Sequence, residues 1–298
     1  MSTFVLAHLS DLHLAPLPTP DPLELAGKRL GGFINWHYNR RHVHRADVLA
    51  RIIDDLKARA PDHIAVTGDL INLSLAAEYA PARAWLERLG RPQDVTVVPG
   101  NHDTYVWSKA RHPQRHWAEY MRGDGPASSA DFPFVRRRGP AALIGVTTAV
   151  PTLPFLATGR LGDAQLARLS ALLEELGRAG AFRIVLIHHP PVTKRRSRRL
   201  IDGEAFIELL KARGVELVLH GHEHLDRVRW FATPQGSVAA VGVPSASGAA
   251  GGKYDAAAYN LFSIEGGPGA WRCEMVARGL DADGGRIVER RRCVLLRG

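Results

Sequence analysis

Metal-liking side chains recur in five short clusters, each directly after an apolar run. Asp11 and His13 stand in Ser-Asp-Leu-His, Asp69 in Thr-Gly-Asp, and Asn101, His102 and Asp103 in Pro-Gly-Asn-His-Asp. His188 and His189 precede Pro190 and Pro191, and His220, His222 and His224 alternate in His-Gly-His-Glu-His. Carboxylate and imidazole together suit a borderline metal such as zinc, manganese or iron. The i, i+2 spacing of Asp11 and His13 points both side chains to one side of an extended backbone. A carboxylate such as Asp69 can bridge two cations, and a neutral amide oxygen such as that of Asn101 can ligate one without adding charge, so both belong in a dinuclear centre. Glycine before Asp69 and before Asn101 permits a sharp turn toward a common point without a Cβ clash. Each histidine alone reads as readily as a hydrogen-bonded structural residue. Five clusters in one chain do not reduce to that. Spacing leaves the last cluster open between His220/His222 and His222/His224.

Apolar runs at 4–9, 63–67, 95–98, 142–146, 183–187 and 215–219, all but the fourth of them carrying one of these clusters, read as buried strands. Helical periodicity fills the gaps at 45–58, 76–89, 163–178 and 203–213. The alternation predicts β-α units and a largely parallel α/β sheet with helices on its faces. In such a sheet ligands gather at the carboxyl ends of the strands, which is where every cluster falls. After Leu225 the texture changes to shorter runs at 227–232, 238–243, 259–265 and 271–276, which predict a second, more antiparallel sheet. One two-sheet domain over 1–298 is the economical reading. Two segments, 16–43 and 105–133, break the rhythm and read as insertions near the site.

Composition narrows the partners. Hydrophobic residues at 45% and charged residues at 23% argue for a folded chain over a disordered one. A net charge of +9 favours an anionic partner, although the basic runs at 136–138, 194–199 and 290–292 read first as solvated faces. Two cysteines, Cys273 and Cys293, are too few for a disulfide framework. The N-terminus lacks a basic leader and sets His8, Asp11 and His13 among its apolar residues, so a cytoplasmic location is expected.

Taken in order, Asp-x-His, Gly-Asp, Gly-Asn-His-Asp, a strand-end histidine and Gly-His-x-His resemble the calcineurin-like metallophosphoesterases, from Phe4 to Asp226. The resemblance implies a four-layer αββα sandwich with two mixed β-sheets flanked by helices. It implies that Asp11, His13 and His224 hold a first metal, that Asn101, His188 and His222 hold a second, and that Asp69 bridges them. His102 would be the catalytic histidine that ligates neither, and His220 falls outside the ligand set. His8 and His189 are expected as packing neighbours. Two divalent or trivalent ions, manganese, iron or zinc, would activate water for attack on phosphorus.

The His-His-Pro-Pro segment, the Gly-Asn-His-Asp motif and the chain length are similar to the branch with class III cyclic-nucleotide phosphodiesterases and glycerophosphodiesterases, so a small phosphodiester is the first expectation. Arg195 and Arg196, after the His188 cluster, are candidate substrate contacts. A rival is a lipid-linked pyrophosphate of the UDP-2,3-diacylglucosamine hydrolase type, with peripheral membrane contact through the basic-aromatic stretch 28–41. Against it, that helix is first expected to pack its apolar face onto the sandwich. A nuclease ranks behind both. A metal-free binding scaffold is the reading of another class, disfavoured because every ligand position is filled.

Overall fold

The computed structural model describes residues 3–125, 131–234 and 236–298; residues 126–130 of the second insertion lie outside them. In chain order its principal elements are Phe4–Leu9 (β1), Lys28–Asn35 (α1), Arg41–Val43 (α2), Ala46–Ala58 (α3), His63–Val66 (β2), Ala76–Leu89 (α4), Val95–Val97 (β3), His112–Trp117 (α5), Phe134–Arg138 (β4) and Ala141–Gly145 (β5). They continue with Asp163–Arg178 (α6), Phe182–Leu186 (β6), Gly203–Arg213 (α7), Leu217–His220 (β7), Arg227–Thr233 (β8), Gly236–Gly242 (β9), Ala258–Glu265 (β10), Arg272–Leu280 (β11) and Ile287–Leu296 (β12).

The strands sort into two six-stranded sheets, ordered β12-β11-β10-β1-β2-β3 and β4-β5-β6-β7-β9-β8. In the first, β1, β2 and β3 run parallel while β10 to β12 extend the β1 edge antiparallel. In the second, β5, β6, β7 and β9 are parallel and β4 and β8 are antiparallel edges. This corrects the expected division into an N-terminal parallel sheet and a C-terminal antiparallel one: each sheet takes strands from both halves. Alternation along a strand marks which face is buried but not which sheet the strand joins.

Alternation does set the layers. In β5 and β6, Leu143, Ile184 and Leu186 face the core shared with the first sheet, while Ala142, Ile144 and Val185 face Leu169 and Leu173 of α6 and Phe206 and Leu210 of α7. On the far side, Ile52 and Leu56 of α3 and Tyr79 and Leu86 of α4 join the first core. The result is the four-layer sandwich. Part of the second insertion belongs to that core, because Trp117 and Tyr120 are fully buried in it. Arg136 departs from the solvated reading of its basic run: it is buried and donates to the carbonyls of Pro92, Val95, Glu119 and Arg122. Among the described residues no helix is long and apolar enough to cross a membrane.

Candidate metal centre

The parallel strands of both sheets end on one side, and their loops turn inward there. Asp11, His13, Asp69, His222 and His224 all adopt left-handed backbone, with φ of 54°, 43°, 54°, 70° and 55°. Such conformations cost about 1–3 kcal/mol each and persist where the surroundings over-determine them, typically at functional sites. The close approach needs glycine: a Cβ on Gly100 would lie 2.2 Å from Asp69 Oδ1, and one on Gly221 would lie 1.9 Å from Ser10 Oγ. Asp103 ties the turns together. Its buried carboxylate accepts from the backbone N–H groups of Asp69 (2.9 Å), Leu70 (2.8 Å), Ile71 (3.2 Å) and Gly100 (2.8 Å). Asp103→Asn would set an amide donor against those donors. Metal affinity is expected to fall about 10–100-fold, the usual cost of losing a supporting partner, read by titration of the metal-free protein.

These turns bring every expected ligand to one point. The donor atoms of Asp11, His13 and His224 lie within 4.8 Å of one another, as do those of Asp69, His188 and His222, and either group could hold a metal ion. His224 Nε2 is 3.0 Å and His13 Nε2 4.0 Å from Asp11 Oδ1. Asp69 Oδ2 faces both groups, 3.9 Å from His13 Nε2 and 3.3 Å from His188 Nε2. Asn101 Oδ1 lies 3.2 Å from His188 Nε2. The ring orientations are fixed from behind: His188 Nδ1 is 2.6 Å from Thr67 O and His222 Nε2 is 3.2 Å from Arg198 O. Each imidazole thereby keeps one nitrogen for the centre.

The electrostatics fit cations as well. For Asp69, burial alone would raise the pKa, yet His188 and His102 outweigh it and hold the carboxyl well below its usual range. Burial and then Arg40 push His13 well below the usual histidine value, and burial and then His189 do the same to His222, so both are neutral donors. Burial and then Asp69 raise Asp103 to about 7, against four N–H groups that favour its anion; cations beside Asp69 would remove the like-charge part of that rise. Nitrogen and oxygen donors without thiolate suit manganese, iron or zinc.

His102 occupies the edge of the group. Its Nδ1 is 2.5 Å from Asn72 O, its ring stacks on Tyr105 with centroids 5.3 Å apart, and its backbone N–H donates to Asp69 Oδ1 at 2.7 Å. Nε2 therefore points into the cleft, and burial followed by Arg40 pushes its pKa down to about 3. His8, His189 and His220 bond elsewhere, to Thr67 Oγ1, to Thr148 Oγ1 with Ala157 O, and to Gly221 O.

Arg40 is the residue that sequence reasoning missed. The helix from Lys28 changes at Trp36–Arg40 into a π-helical turn, a form that recurs at functional sites. At its end the Arg40 guanidinium reaches the centre, with Nη1 2.8 Å from His102 Nε2 and Nη2 2.8 Å and 2.9 Å from the His13 ring nitrogens. Its Nε is buried with no acceptor among the described residues. A run of basic and aromatic residues at 28–41 was the only sequence signal, and it could not single out Arg40. Arg195 and Arg196, the expected substrate contacts, are exposed; Arg198 instead lines the cleft of about 480 Å³, beside Arg40, Asn101, His102, Tyr105 and Phe155.

Two triads of nitrogen and oxygen donors at the strand ends of a four-layer sandwich define a binuclear metal-type site. The chain belongs to the calcineurin-like phosphoesterase family, whose model matches residues 4–226 and whose members are typically dimetal-dependent. A Synechococcus protein named "Probable cyclic nucleotide phosphodiesterase" is 31% identical over 180 residues, 59% of this chain and 62% of that one. A glycerophosphodiester phosphodiesterase from Enterobacter lignolyticus is 29% identical over 188 residues, 63% of this chain and 57% of that one. The chain thus spans less than two thirds of either relative. Among solved structures, a dimetal phosphatase from Danio rerio is similar in fold, with a TM-score of 0.63, 13% identity and 99% coverage of both chains.

Proposed function

We propose that this protein is a dinuclear metal-dependent phosphohydrolase acting on a phosphodiester. Asp11, His13 and His224 would hold one cation, Asn101, His188 and His222 the other, and Asp69 would bridge. The observation that carries this reading is the one Asp69 oxygen that faces both groups. When bound, the pair of cations supplies a nucleophile from water at neutral pH and offsets phosphoryl charge. The chain's own residues do the rest. His102, held by Asn72 O with Nε2 toward the cleft, would take up the proton released from the attacking water once a phosphoryl group draws away Arg40, whose charge helps keep the ring neutral, and would pass it to the departing oxygen.

Arg40 is the hydrogen-bond donor to the substrate's phosphoryl oxygens. In the protein without substrate its charge sits beside Asp69 and Asp11, and an incoming phosphoryl group would take up its unpaired Nε and draw its Nη donors from His102 and His13. Arg40→Ala is expected to lower kcat/KM about 10²-fold with metal content unchanged, in line with loss of one donor to developing negative charge. Arg40→Lys should not restore it, since the planar fork is absent.

A small diester, a cyclic nucleotide or a glycerophosphodiester, is supported by the names of the two relatives and by a cleft of about 480 Å³. A second reading keeps the chemistry and changes the carrier to a lipid-linked pyrophosphate. The outward placement of Leu30 and Ile34 favours it. A cytoplasmic location, peripheral to the membrane, accompanies that reading. The test is hydrolysis by manganese-loaded protein of an aryl phosphomonoester, bis(p-nitrophenyl) phosphate, cyclic nucleotides, glycerophosphodiesters, UDP-diacylglucosamine and single-stranded DNA. Turnover confined to the lipid pyrophosphate would replace the small-diester reading, and turnover of none would end both.

A further inference from the structure

The 28–41 segment meets the expected packing only in part: Trp36 is buried and Phe33 half-buried against the sandwich, while Leu30 and Ile34 face outward. Arg29, a charged residue, is its buried side: Nε donates to Leu73 O at 3.0 Å and Nη1 to Glu24 O at 3.2 Å, with Nη2 on Ser74 O. Gly32 lies against Leu73 and Tyr105, where a Cβ would come within 2.6 Å of the Leu73 side chain. The helix is therefore fixed with two of its apolar side chains outward, Leu30 being 51% and Ile34 49% exposed. An apolar stripe facing water costs solvation free energy unless something covers it.

A second apolar element stands beside it. Leu153 is 71% and Phe155 100% exposed, and Phe155 is held up on left-handed backbone with φ 66°. Lys28 fastens the two together, donating from Nζ to Thr152 Oγ1 at 2.7 Å and to Leu156 O at 3.1 Å. A third element joins by backbone bonds, Ala157 N to Ser197 O at 2.8 Å and Gly159 N to Arg199 O at 3.0 Å, which set the basic 194–199 run next to the apolar loop. Lys28, Phe155 and Arg198 all line the same cleft, so the three elements surround its mouth.

Charge supplies the identity of the cover. Of the basic residues on these elements, Arg29 is buried, Arg40 reaches the centre and Arg45 pairs with Asp47, while Arg41, Arg160, Lys194, Arg195, Arg196 and Arg199 are exposed, with Glu24, Asp47, Asp163 and Asp202 at the borders. A second copy of this chain would set basic face against basic face. An anionic bilayer satisfies both features, taking apolar side chains at the acyl boundary and basic ones at the headgroups.

We infer that the mouth of the cleft docks on an anionic bilayer through Leu30, Ile34, Leu153 and Phe155, with the 194–199 segment on the headgroups. The inference rests on the phosphoesterase reading only for what lies behind the mouth. It is tested by co-sedimentation with phosphatidylcholine vesicles, with and without phosphatidylglycerol, using the full chain and a Leu30→Ser/Ile34→Ser/Leu153→Ser variant. The parent is expected to bind the phosphatidylglycerol vesicles and to be released by salt. The variant should bind at least about tenfold more weakly, since three partly exposed side chains lose their burial. Its hydrolysis of soluble bis(p-nitrophenyl) phosphate and its Tm should match the parent's.

A parent that ignores phosphatidylglycerol vesicles at low salt, or a variant that binds them as well, overturns the inference. So does a parent that is a dimer, becomes monomeric in the variant and binds no vesicle, which would make the face a self-association surface. Vesicle binding that depends on the three residues in a protein that hydrolyses no phosphoester supports the docking and ends the phosphoesterase reading alone.

Discussion

Asp69→Ala is expected to lose tight binding of both cations and, with it, about 10³-fold or more of phosphodiester turnover, the scale of several kcal/mol of charge stabilisation. The reason is geometric. Asp69 Oδ2 is the oxygen placed toward His13 in one group and His188 in the other, while Oδ1 accepts the His102 backbone N–H at 2.7 Å. Its removal takes a ligand from each group and frees the turn that carries Asn101. Asp69→Asn is the sharper control: it can keep the acceptor for His102 but turns an amide donor toward the imidazoles, so it should bind metal little better than alanine. A readout independent of turnover is thermal: manganese should raise the Tm of the parent, by linkage to the folded state, and should do so much less in either variant. A full manganese-dependent Tm shift in Asp69→Ala would remove Asp69 from the centre.

His102→Ala is expected to separate metal binding from rate. Among the described residues the His102 side chain meets Asn72 O, Tyr105, Arg40 and, edge-on, the His13 ring, and its backbone N–H survives the substitution. Two cations per chain and the manganese-dependent Tm shift should therefore remain. The rate should fall about 10²–10⁴-fold, the usual worth of a positioned proton donor or acceptor. The fall should be larger for an alkyl diester than for bis(p-nitrophenyl) phosphate, because nitrophenolate departs without needing a proton. An equal fall on both would assign His102 to holding the ground state instead of the leaving oxygen.

Much of this site was legible in the chain because each cluster sits where a buried strand must end. Apolar runs of four to six residues locate β1, β2, β3, β6 and β7, and a sheet of that type gathers its loops on one side, so Asp11, Asp69, Asn101, His188 and His222 could be grouped from the sequence. What stayed hidden has physical reasons. Phe134–Arg138 and Ile287–Leu296 are edge strands whose arginines mask the apolar alternation, and buried Arg136 satisfies backbone carbonyls that no local pattern reveals. The division of strands between sheets depends on contacts far apart in sequence, such as β1 with β10. Arg40 is separated from His102 by 62 positions and reaches it only because Arg29 fixes the helix and a π-helical turn redirects its end. The same anchoring by Arg29 sends Leu30 and Ile34 outward, which amphipathic periodicity alone would have turned inward.

The central claim, that these residues form one centre for two cations, is tested most directly by anomalous diffraction from crystals of the protein grown with manganese. Two peaks are expected about 3.5–4 Å apart, the spacing of two-metal phosphoesterase sites, on either side of Asp69 Oδ2, one beside Asp11, His13 and His224 and the other beside Asn101, His188 and His222. Peaks away from these side chains, or no peak at a manganese concentration that supports turnover, would contradict it.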